Sequence, residues 1–82
     1  MQKIMVSRVS EIRKAVKLVK TTGKRATLRN DIGNAVQVTY DKRYGEFNVT
    51  EYCDFDDTSA LDNTPCETAQ DAVETIAYML LD

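Results

Sequence analysis

The stretch RATLRNDIGNAVQVTYDKRYGEFNVTEY, residues 25–52, alternates apolar and polar residues in three short runs. A period of two is the mark of a strand with one covered face. Ala26 and Leu28 share a face in the first run, Val36, Val38 and Tyr40 in the second, and Phe47 and Val49 in the third. The segments NDIGN and DKRYG between the runs carry turn residues. Together they predict two hairpins with strands near 25–29, 35–41 and 46–52. The opposite face would show Thr27, Arg29, Gln37, Thr39, Asn48 and Thr50, as a sheet wet on one side requires.

Helical patterns flank this meander. Met5, Val9, Ile12, Val16 and Val19 fall within an arc of roughly 80° at about 100° per residue, so they predict a helix over 3–21. Gly23 is placed to end it, with Lys20 near the negative pole of its dipole. After the meander, Thr64, Pro65 and Glu67 read as cap, first-turn residue and capping box of a second helix, 65–81. Ala69, Val73, Ile76 and Leu80 form its inner seam, helped by Ala72 and Met79. The order is α-β-β-β-α in one domain, residues 1–82. The expected fold is α+β in two layers: a three-stranded antiparallel sheet with both helices on one face.

Charge is strongly segregated. Residues 1–29 carry nine basic groups against Glu11, a net of +8; residues 30–82 carry Lys42 and Arg43 against twelve acids, a net of −10. One region of the domain is therefore expected to be basic and another acidic. No apolar run is long enough to span a membrane, and the N-terminus lacks the pattern of a secretory signal. A cytoplasmic location follows as the expectation.

The chain has no histidine, which removes the commonest general base, the Ser-His and Cys-His nucleophile pairs and His-containing zinc sites. The segment DFDDTSALDNTP, residues 54–65, begins like a calcium loop. Ser59 stands where the sharp turn needs glycine, and Pro65 where a bidentate glutamate is needed. Asp54, Asp56 and Asp57 could serve as nuclease ligands, but no lysine follows them. We expect no catalysis, no metal site and no cofactor. Cys53 and Cys66 would close a loop of about 14 residues, worth roughly 3 kcal/mol as a disulfide; in a cytoplasmic chain they are expected to be thiols. The sequon at Asn48 falls within a predicted strand. Phe55 and Leu61 are expected to pin the acidic loop to the core.

What remains is surface. Asp54, Asp56, Asp57, Asp62, Glu67, Asp71 and Glu74 form an acidic face, with Tyr78 as the kind of aromatic that anchors interfaces. It predicts a protein partner with a basic surface. The alternative is nucleic-acid binding through the basic helix by Lys3, Lys14, Lys17, Lys24 and Arg25. A homodimer is compatible with either.

The α-β-β-β-α order resembles the double-stranded RNA-binding domain. That family opens its second helix with a phosphate-gripping lysine cluster, where this chain reads CETAQD, and its Gly-Pro-x-His element is replaced by NDIGN. The likeness therefore implies topology rather than RNA binding. In size, layout and acidic second half the chain also resembles small phage-encoded inhibitors of the anti-CRISPR kind. That resemblance implies a protein without catalysis that occludes a host nucleic-acid-binding complex through carboxylates standing in for phosphates.

Overall fold

The structure, a computed structural model, describes residues 2–52 and 60–81. Its elements in chain order are β1 (Gln2–Met5), α1 (Val9–Thr22), β2 (Ala26–Arg29), β3 (Ala35–Asp41), β4 (Glu46–Tyr52), β5 (Ala60–Cys66) and α2 (Ala69–Leu81). The class is α+β, as the sequence indicates, but the sheet has five strands, in the order β1-β2-β3-β4-β5. Strands β2 to β5 form an antiparallel meander, and β1 lies parallel to β2. The parallel pair requires a crossover, which α1 supplies.

The first addition replaces the start of the first predicted helix, and the second replaces the end of the expected acidic loop and the first two residues of the second helix. The first helix begins at Val9 and not at residue 3, because Gln2–Met5 pairs with Ala26–Arg29 and Val6 N–H continues the pairing by donating to the Arg29 carbonyl at 2.7 Å. Met5, placed on the helical stripe by its spacing, is 60% exposed in β1, and Val9 is 36% exposed. Glu11 sets the true start: its Oε1 accepts from the N–H groups of Ser7 and Arg8 at 2.8 and 2.9 Å, donors that the first turn leaves orphaned. At the other end of α1, Gly23 adopts φ 72° and donates its N–H to the Val19 carbonyl, the left-handed stop expected of it.

The second helix begins at Ala69 and not at 65. Thr64 and Pro65 belong to β5, where Thr64 pairs with Val49 and Pro65 with Asn48. The cap is Thr68, whose hydroxyl accepts from Asp71 N–H at 3.1 Å. Asp, Asn and Pro are poor strand formers, yet β5 is an edge, the one position where a missing N–H costs no ladder bond. Cys66 thus lies in a strand, buried, with Sγ 3.6 Å from Thr75 Oγ1, and it is a free thiol. Cys53 and Phe55 lie outside the described residues.

Ile12, Val16 and Val19 from α1, Ala72, Val73, Ile76 and Leu80 from α2, and Leu28, Val36, Val38, Phe47 and Val49 from the sheet form one buried cluster. Both helices therefore cover the same face, α1 over β2 and β3, α2 over β3, β4 and β5. Fully burying side chains of this size stabilises by about 1.5–3 kcal/mol each. Tyr40 and Phe47, opposite each other across β3 and β4, meet with ring centroids 4.7 Å apart and planes tilted by 51°. The other face is not uniformly wet as expected. Thr27 and Ala35 are fully buried there, and Gln37 nearly so, with Arg29 and Tyr52 as long register neighbours. Among the described residues no helix is long and apolar enough to cross a membrane.

Candidate functional site

Helix α2 turns its apolar seam inward and so must turn Asp71, Glu74 and Tyr78, three and four positions apart, toward solvent. All three are exposed, Tyr78 by 73%. Glu74 is held by Gln70, whose Nε2 donates to its Oε2 at 3.0 Å. The far end of the helix is fixed by Asn30 in the β2–β3 turn. This buried side chain donates to the Leu80 carbonyl at 3.0 Å, and its Oδ1 accepts from the N–H groups of Ile32, Gly33 and Asn34 at 3.0–3.1 Å.

Between α2 and the sheet edge runs an open groove of about 650 Å³, lined by Glu51, Asp62, Thr64, Glu74, Thr75, Tyr78 and Met79. Glu51 and Asp62 stand directly opposite each other on β4 and β5. A like-charged cross-strand pair is destabilising, and Glu74 adds a third carboxylate, while none of the described residues lining the groove is basic. Among the described residues no three acids are close enough to hold one metal ion together.

The structure brings together Asp62, Glu74 and Tyr78 of the residues expected from the sequence. Glu67 and Asp71 lie exposed near the start of α2, outside the groove lining. Asp54, Asp56 and Asp57 lie outside the described residues. Glu51 was not anticipated. Its signal was there in the alternation of β4, which puts residue 51 on the helix-facing side with Phe47 and Val49.

Of the alternative set, Lys14, Lys17, Lys24 and Arg25 are exposed, and Lys3 sits in β1 opposite Thr27. Arg13 and Lys20, which sequence reasoning left out, join Lys17 along a groove between the helices whose other wall is Ala69, Gln70 and Val73. The wall that α2 offers its basic neighbour is thus uncharged, while its acids face elsewhere. Lys20 Nζ lies 5.8 Å from the Tyr40 ring centroid, within cation–π range. Comparison with protein-family models, curated proteins and solved structures finds no match to the chain.

Proposed function

We propose that this chain is a non-enzymatic protein-interaction module whose acidic groove docks a basic surface of a partner protein. The observation that carries this reading is the convergence of Glu51, Asp62 and Glu74 around an exposed tyrosine, with no cation among the described lining residues. Glu51 and Asp62 face each other across the strands as like charges, and a partner's lysines or arginines would complement them. The finer form of the proposal follows the sequence resemblance: the chain acts as an inhibitor that occludes a nucleic-acid-binding protein, its acids standing where phosphates would bind.

The test compares the immobilised wild-type chain with an Asp62→Lys, Glu74→Lys, Tyr78→Ala variant as bait in a cell extract. Nucleic-acid-binding proteins should be retained by the wild type, released by competing duplex DNA and lost with the variant. Equal retention by both baits, the variant being folded, contradicts the proposal. A second reading, nucleic-acid binding through α1, is favoured by the exposure of Arg13, Lys14, Lys17, Lys20, Lys24 and Arg25. It predicts gel shifts that weaken steeply with salt and vanish in Lys14→Glu, Lys17→Glu.

A further inference from the structure

The cationic surface of α1 and the acidic groove lie on different sides of α2. Helix α1 packs over β2 and β3, and α2 reaches β5, so the acidic groove occupies the β5 flank of α2. On α1, Arg13, Lys17 and Lys20 line the side toward α2. At about 100° per residue, Lys14 and Leu18 fall on the outward side away from Arg13 and Lys20, with Lys17 between. Leu18 is 40% exposed among these cations. The one acid of α1, Glu11, is engaged by Ser7 and Arg8 at the helix start. One flank is therefore a cationic ridge with an apolar residue in it. The other is an anionic groove lined also by Tyr78 and Met79.

From this placement we propose that the chain associates with copies of itself head to tail, the Lys14–Lys17–Leu18 ridge of one copy seated in the Glu51–Asp62–Glu74 groove of the next. The inference rests on the reading of the groove as a dock for basic protein surfaces and names a second copy as its occupant. A ridge cannot reach the groove of its own chain across the helical layer. Repeated by one operation, the contact is heterologous, leaving a free ridge at one end and a free groove at the other. Strand addition along β5 is not the route. On the β5 edge Pro65 has no N–H, and Asn63 N–H donates to the Asp62 side chain at 2.9 Å, so the edge offers few free donors.

Sedimentation velocity of the wild-type chain tests this from about 10 µM to about 1 mM, the range of weak protein contacts. Low salt should give a mean mass that at least doubles across the range. Salt of about 0.5 M, which shortens the screening length to a few ångströms, should return the monomer. The Lys14→Glu, Lys17→Glu variant and the Asp62→Lys, Glu74→Lys variant, each folded by circular dichroism, should both be monomeric. Mixed one to one they should associate again, because the first keeps its groove for the second's ridge and the two reversals complement each other at the other contact. A wild-type chain that stays monomeric in low salt, or a mixture that does, overturns self-association. A lysine-rich peptide titrated in parallel separates the two readings. Peptide binding by a chain that stays monomeric leaves the groove standing and removes only the second copy, and failure of both removes both.

Discussion

Replacing Asn30 with alanine should be among the most damaging single changes in a polar residue of this chain. Its side chain is 3% exposed and makes four hydrogen bonds, one to the Leu80 carbonyl at the end of α2 and three from the turn 32–34. The three turn donors are partly exposed and regain water, so each loss costs about 0.5 kcal/mol, the low end for a net hydrogen bond. The Leu80 carbonyl loses its partner at a buried contact, which costs about 1–3 kcal/mol. The sum is about 3 kcal/mol, a large share of the ~5–15 kcal/mol available to a small domain. For a chain of this length that lowers Tm by roughly 12–24 °C. Asn30→Asp keeps the three turn acceptor bonds but loses the donor to Leu80 and sets a negative charge at the helix C-terminus, so it should rescue little. Urea unfolding monitored by circular dichroism measures both. A loss below about 0.5 kcal/mol in Asn30→Ala would refute the claim that this residue anchors α2.

Other outcomes follow from single contacts. The hydrogen bond from Ser7 N–H lowers the Glu11 carboxyl pKa most; desolvation opposes it, and hydrogen bonds from Arg8 N–H and the Ser7 hydroxyl together with the Arg8 charge keep it below its usual range. A lowered folded value adds stability that is present above the ordinary carboxylate pKa and fades as pH falls through the folded one. Glu11→Gln should therefore be less stable at pH 7 and lose less on acidification; superimposable stability–pH curves would contradict this. Pro65→Val with Asp62→Ala restores one edge donor and releases another. It should make the protein self-associate through β5, seen as light scattering that salt does not reverse, whereas a variant as soluble as the parent argues against the blunted edge. In a Cys53→Ala background the Cys66 thiol should react with a disulfide reagent far more slowly than in urea, since it is 4% exposed. Equal rates would place it at the surface.

The alternation of residues 26–28, 36–40 and 47–49 made the central meander and its core face legible, because period two over several strands has no helical counterpart. The ends were misread for physical reasons. Met5 and Val9 happen to continue the helical spacing of Ile12, Val16 and Val19, and a four-residue strand is too short to show its own period. The segment ALDNTPC contains residues that disfavour strands, and only its edge position in the sheet makes them tolerable. Of the groove, Asp62, Glu74 and Tyr78 could be named from charge and helical spacing. The alternation of Phe47 and Val49 puts Glu51 on the helix-facing side, but its place beside Asp62 depends on a β4–β5 pairing that the sequence does not announce.

The groove between α2 and β5 is the surface proposed to receive basic partners. The direct measurement is an amide chemical-shift titration of the labelled chain with a short lysine- and arginine-rich peptide in low salt. Shifts should concentrate at Glu51, Asp62, Thr64, Glu74, Thr75 and Tyr78, saturate, and shrink as salt rises. Shifts spread evenly over all exposed acids, Asp31, Asp41 and Glu46 included, with no response at Tyr78, would contradict it.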